Sequence, residues 1–376
     1  MRFALFGNHP DGVDLAEALA GSGHHELVAY TRDDPRLHRL GPKARKVGDV
    51  EEILADPSVD AVIVADSVGA RSQQLRRALQ SERHVLCVHP AGDGPEIAYE
   101  AAMMRDDVKC ILLPILNDGR HPAIRRLREF VHRGESAKQD SPVGEFLLLK
   151  AEWPGIRETE ESAAFPGWDI LRTVGGDIAE LSAFAASEEA VPGEPAVLTG
   201  SFEHGGLFQV SLLPAGADDS WLLTVAGRAG RVELQFPTGI AGPAFLNWRD
   251  ASGQDQEEYW DAWDACPSLI EAFEAAVSNQ PPAISWQDEV RALELDDAAR
   301  RSLSKRRTSL LEYQEATEEV GFKGTMTLVG CALLWVVLLL VVLTAWVPWL
   351  RWVIMPLIVV FLGLQLLRYA LPKRPS

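Results

Sequence analysis

Basic residues are in short supply. The chain of 376 residues carries 36 Lys and Arg against 54 Asp and Glu, a net charge of −18. Phosphate backbones bind basic footprints, so nucleic acid is excluded as a partner. Cysteine is scarce as well. Cys87, Cys110, Cys266 and Cys331 are scattered without metal-ligand spacing, which predicts buried thiols in a reducing compartment and no metal site. The His24-His25 pair likewise lacks partners at metal spacing. The sequence has no Walker loop, no Ser/His/Asp order, no internal repeat and no signal-peptide pattern before its first strand. Acidic residues are also missing after Gly321, where five basic residues stand alone. The preceding part is therefore more acidic still, which favours solubility and says little about fold.

What is present begins at once. Residues 2–6 form an apolar run too short for a helix, Gly7 ends it, and Asp11 is placed to cap a helix from Gly12. A strand, a glycine turn and a helix N-terminus open a dinucleotide-binding βαβ unit. Gly7 and Gly12 fill the first and third glycine places of that fingerprint, and His9 stands in the second. The middle glycine lets backbone approach a pyrophosphate, so His9-Pro10 weakens the binding signal more than the fold signal.

Alternating patterns continue: strands at 25–31, 60–65, 84–88 and 109–115, and helices at 50–55, 72–80 and 96–105. That spacing predicts a parallel, doubly wound sheet. Arg32, at the end of the second strand, either meets a 2′-phosphate, which selects NADP, or is a solvated loop arginine. From His121 the pattern changes. A helix at 123–132 is followed by strands at 146–153, 196–202, 207–213, 221–226, 232–236 and 244–248. Helical patterns at 168–186 and 267–277 flank them, and another helix runs over 288–305. This predicts an α+β domain with a mainly antiparallel open sheet. The stretch 259–264, alternating aromatic and acidic residues, either stacks a sugar ring or anchors the next helix.

Residues 326–346 carry no charge, and their 21 residues suffice to cross a hydrocarbon core of ~30 Å. Residues 352–367 form a second, shorter apolar segment containing Pro356, which either spans or re-enters. Trp346, Trp349 and Trp352 sit at the turn between them, as in an aromatic belt, and basic residues flank both outer ends. The expectation is a transmembrane hairpin over 326–370 in a lipid bilayer, with both chain ends cytoplasmic. The implied domains are 1–120, 121–307, a helical linker at 308–325, and the hairpin.

Four stretches carry a resemblance: 56–63 (DPSVDAVI), 84–90 (HVLCVHP), 120–130 (RHPAIRRLREF) and 175–184 (GGDIAELSAF). In this order and spacing the sequence resembles the glucose–fructose oxidoreductase / inositol dehydrogenase / MocA (Gfo/Idh/MocA) family from Arg2 to about Arg306. The resemblance implies NAD(P)-dependent oxidoreduction of a sugar or cyclitol. It also implies NAD or NADP held at Gly7, Asn8, His9, Gly12, Arg32, Asp66 and Pro90, and a homo-oligomer paired through the open sheet. It places His89 where members carry a lysine. Counting from Gly175 and Gly176, it places Glu180 and Phe184 where members carry an aspartate and a histidine. His89 and Glu180 are thus the catalytic candidates. An imidazole titrates near neutrality and can take a hydroxyl proton; Phe184 cannot. The replaced residues imply weakened or lost catalysis. The alternative is an active oxidoreductase using His89 as acid/base.

Overall fold

We describe a computed structural model of the chain, in residues 1–40, 44–116, 118–132, 142–154, 165, 167–185, 195–214, 220–250, 252–305 and 309–310. All of them belong to one compact unit, Met1–Tyr313. The linker and hairpin expected at 308–370 lie outside the described residues, apart from Ser309 and Leu310. Among the described residues no helix is long and apolar enough to cross a membrane.

Apolar runs buried on both faces build the first sheet. Its strands are β1 (Arg2–Gly7), β2 (Glu26–Tyr30), β3 (Arg45–Lys46), β4 (Ala61–Ala65), β5 (His84–Val88) and β6 (Leu112–Ile115), in the order β3-β2-β1-β4-β5-β6. Every pairing is parallel, and the opening segment β1 is central. Helices α1 (Pro10–Gly21), α2 (Val50–Leu54), α3 (Val68–Gln80) and α4 (Pro95–Val108) cross between the strands. The reversal of strand order between β1 and β4 opens a crevice at the strands' C-terminal ends, where such sheets bind ligands.

Two glycines let the first turn close. Gly7 has φ +96°, and a Cβ there would lie 2.2 Å from the Ala65 carbonyl oxygen. A Cβ on Gly12 would lie 2.2 Å from the Ala65 Cβ. Gly12→Ala is therefore expected to cost about 1–3 kcal/mol of stability by overpacking. Chemical denaturation checks this, and an unchanged midpoint would show that α1 does not seat on β4.

After α5 (Pro122–Val131) the second sheet forms from β7 (Phe146–Trp153), β8 (Ile178–Ala185), β9 (Ala196–Phe202), β10 (Leu207–Leu212), β11 (Trp221–Gly227), β12 (Arg231–Phe236), β13 (Ala244–Arg249), β14 (Asp255–Trp260) and β15 (Ser309–Leu310). The order is β14-β13-β12-β11-β7-β10-β9-β8-β15, antiparallel except for β7 with β10. Its inner face packs Trp153, Phe208 and Phe236 against α5, α6 (Trp168–Gly175) and α8 (Trp286–Lys305), with Trp168 of α6 in the same core. Helix α7 (Cys266–Val277) returns to the first core, where Phe273 lies 5.3 Å from Phe3 between ring centroids.

Two expectations need correcting, and one strand was missed. Asp11 does not cap α1: the helix begins at Pro10, and His9 caps it by accepting the Asp11 N–H on its ring. The helix expected over 168–186 stops at Gly175, because Gly176 takes φ +90° and ends it. The chain then enters β8. Ile178, Leu181 and Ala185 fit helical spacing, but pairing with β9 decides the outcome. Strand β14 also escapes the apolar pattern. As an edge strand reading DQEEYW, it has little apolar surface to announce it.

Candidate functional site

The crevice is built where β5 and β6 end and α8 crosses them. His89 follows β5, and its side chain is 9% exposed. Its Nδ1 lies 2.8 Å from Glu289 Oε2, and the other oxygen, Oε1, accepts the Ala91 N–H at 2.7 Å. Glu289 is buried on α8. The ring is thus fixed through Nδ1, while Nε2 has no partner among the described residues. A carboxylate that orients one nitrogen of an imidazole readies the other for proton transfer.

Three more carboxyls surround this pair. Asp169 on α6 accepts the Gly119 N–H at 2.7 Å, which ties α6 to a 3-10 turn at Asp118–Arg120. Asp296 on α8 accepts the Phe165 N–H at 2.9 Å. Asp118 stands on the turn itself, half-buried as a residue but with its carboxyl enclosed. Burial pushes Asp169 up to about 6, against the pull of the Gly119 N–H and of His89. Burial and the neighbouring Asp169 and Asp11 push Asp118 well above the usual carboxylate range. For His89, burial lowers the pKa, but Glu289, Asp296 and Asp169 together outweigh it and leave the imidazole raised.

All three shifts point one way. Groups whose folded pKa is raised contribute stability at low pH and lose it as pH rises through the folded value. For Asp169 that window runs from 3.8 to about 6; for His89 it begins at 6.5 and extends upward. Stability is expected to fall as pH rises from 3.8 through about 6, and to fall further above 6.5 as His89 loses its proton, with Asp118→Asn flattening the slope. Melting curves at stepped pH check this, and an unaltered slope in the variant would rule out the cluster as its source.

Beside His89 opens a cavity of about 720 Å³, lined by Asp118, Trp263, Asp264, Ile240 and the outer side of α1 at Asp11 and Asp14. Among the described residues no three His, Cys, Asp or Glu side chains are arranged to hold a metal ion. His121 serves the fold. It accepts the Ala123 N–H at the start of α5, meets Phe236 and Trp263 edge-on, and is held down to about 4 by burial.

The expected cofactor residues gather at the mouth of the crevice, but they are committed to one another. The His9 N–H donates to the Ala65 carbonyl at 2.9 Å. The Asp11 N–H donates to the His9 ring at 3.4 Å, and Pro10 between them has no N–H. Asp11 adds a carboxylate at the same helix end. Asn8 is exposed on the turn, and Gly7 and Gly12 serve the packing against Ala65. Arg32 leans 3.6 Å from Asp66. Arg71, which the sequence reading did not single out, straps the site from α3, donating to the Asp66 carbonyl at 2.6 Å and the Pro90 carbonyl at 2.8 Å. An anion at a helix N-terminus needs outward N–H groups and no competing charge. This turn does not fit a pyrophosphate.

Glu180 lies elsewhere. It is exposed on β8, on the outer face of the second sheet with Phe184, and takes no part in the crevice. The glycine pair used to count toward it ends α6 rather than beginning it. The acid that α6 brings to the crevice is Asp169.

No family model matches the chain. It is 24% identical over 359 residues to the myo-inositol 2-dehydrogenase of Thermotoga maritima, covering 83% of this chain and 99% of that one. Among solved structures, an oxidoreductase from Agrobacterium radiobacter in complex with NAD+, L-tartaric acid and magnesium superposes with a TM-score of 0.67 at 18% identity, covering 82% of this chain and 98% of that one. The WlbA dehydrogenase from Bordetella pertussis in complex with NADH and UDP-GlcNAcA gives 0.64 at 17% identity, covering 84% and 99%. These homologues and structural neighbours are oxidoreductases of the Gfo/Idh/MocA type. The two-sheet fold is shared with them.

Proposed function

We propose that this chain is a membrane-anchored descendant of NAD(P)-dependent sugar oxidoreductases. In this reading it retains the ligand cleft and has weakened or lost nicotinamide turnover. One observation carries the proposal: at the pyrophosphate end of the crevice, Pro10 offers no donor, the Asp11 N–H is taken by His9, and a carboxylate faces outward. The cavity beside His89 keeps the size and polar lining of a site for a small hydroxylated molecule. The uncharged segments within 326–370 support anchoring to a bilayer, and their flanking basic residues support a cytoplasmic folded part. A homo-oligomer is supported by Phe184 and Leu207, both more than half exposed on the outer sheet face. Crosslinking in detergent is expected to give a dimer; monomer alone would count against it.

The decisive test is a fluorescence titration of the full-length protein in detergent with NADH and NADPH. No saturation is expected below ~1 mM, equivalent to about −4 kcal/mol. The second reading, an active oxidoreductase, is favoured by the His89–Glu289 pair. In it, His89 Nε2 takes the proton of a substrate hydroxyl, Glu289 orients the ring, and NAD or NADP is the redox partner. Turnover of myo-inositol with NAD+, lost in His89→Ala, would establish that reading and overturn the first.

A further inference from the structure

A second cavity, of about 470 Å³, opens beside Gly119 and Arg120 and is lined by side chains of α5 and α6. Its cationic groups are Arg120, Arg128 and Arg172, and the imidazoles of His132 and His204 line it beside them. The carboxylates among them are largely committed. Arg172 engages Asp177 at 3.0 Å and Asp288 at 3.3 Å, and Asp169 accepts the Gly119 and Ile170 N–H groups. Arg120 and Arg128 remain. Neither guanidinium has an ion pair or hydrogen bond among the described residues, and Arg120 Nη1 is fully enclosed without a partner. Burial and Arg125 lower the Arg120 pKa, with only the longer-range charge of Glu271 opposing them. An enclosed guanidinium nitrogen left without an acceptor is costly, and an anion entering the cavity would supply that acceptor.

The fold makes room for such an anion. A Cβ on Gly119 would fall 2.4 Å from Thr173 Oγ1, so only glycine lets the turn sit this close to α6. The resulting hollow has the volume of a ligand site and suits a monosaccharide. Its charge is opposite in kind to the cavity beside His89, whose lining carries Asp11, Asp14, Glu17, Asp118 and Asp264 and no Lys or Arg, Arg36 reaching Asp14 and Glu17 from outside it.

We propose that this second cavity binds the phosphate or carboxylate of a small hydroxylated molecule, with Arg120 and Arg128 gripping the anion. Guanidinium forks match both groups through paired N–H···O bonds. Asp169 and Leu116 form a shared wall with the crevice, but the proposal rests on Arg120 and Arg128 and does not depend on whether a dinucleotide binds at the opening turn.

Calorimetric titration of the full-length protein in detergent with glucose 6-phosphate, glucuronate and glucose tests it. At least one charged sugar is expected to bind ~10-fold or more tightly than glucose, and the tighter of the two identifies the anion. Arg128→Gln is expected to weaken that binding by ~10-fold or more, while Arg249→Gln, exposed on β13 and outside the cavity lining, leaves it unchanged. Arg120→Gln should match Arg128→Gln if the turn still folds. Arg128 is exposed, so its variant keeps the core intact whatever Arg120→Gln does. Equal affinity for all three sugars, or unchanged binding in Arg128→Gln, would overturn the proposal.

Discussion

Glu289→Ala is expected to cost ~3–5 kcal/mol of stability, the loss seen when one partner of a buried charge pair is removed. The carboxylate holds His89 Nδ1 with one oxygen and the Ala91 N–H with the other, so truncation orphans two buried polar groups at once. It also deletes a link between α8 and the end of β5, joining residues 200 positions apart. Relief from burying the carboxylate offsets part of this. The residual interaction of His89 with Asp296 and Asp169 does not replace a bond at 2.8 Å. Glu289→Gln separates geometry from charge. Its amide still reaches both partners, so the loss should shrink to about 1 kcal/mol. Burial then dominates at His89, and its titration midpoint should drop below the wild-type value. Urea denaturation reads the first quantity and NMR of the imidazole protons the second. A loss under ~1 kcal/mol in Glu289→Ala would mean the pair contributes no more than an exposed contact.

The first sheet was legible because its strands are buried on both faces and read as unbroken apolar runs such as AVIVA and HVLCV. The second sheet was legible only where one face is apolar. β8 carries apolar residues at spacings that serve either period, and β14 has almost none. At the site, His89 and the turn around His9 could be found because local motifs mark them. Glu289, Asp169 and Asp296 could not be found by motif, since long-range packing alone brings them to His89. A signal was nevertheless present. On α8, Trp286, Glu289, Leu293 and Asp296 recur at helical spacing on one buried stripe, and an acid on such a stripe must find a partner. Asp169 gives the same signal between the buried Trp168 and Ile170. The placement of Glu180 failed for the opposite reason: a glycine pair was read as the start of an element that it ends.

Rebuilding the opening turn as His9→Gly, Pro10→Ala and Asp11→Ala should raise NADH affinity on the order of 10²-fold. Each change addresses one defect. Alanine at position 10 restores an N–H at the first turn of α1. Glycine at position 9 frees the residue 11 N–H, now bonded to the His9 ring, and lets the backbone approach a pyrophosphate. Loss of the Asp11 carboxylate removes a like charge from the helix end. Two charge-assisted hydrogen bonds and a relieved repulsion amount to roughly 2–4 kcal/mol, and 1.4 kcal/mol is a factor of ten. The same changes remove the helix cap, costing about 1 kcal/mol of stability, so the titration belongs at low temperature. The gain should be similar for NADH and NADPH, because Arg32 stays against Asp66 in either case. If the rebuilt turn binds no better than the natural one, the block to cofactor lies deeper in the crevice, at the carboxyls around His89. If the natural turn already binds NADH tightly, a dinucleotide needs neither the missing N–H nor the neutral helix end, and the reading of a lost cofactor site falls.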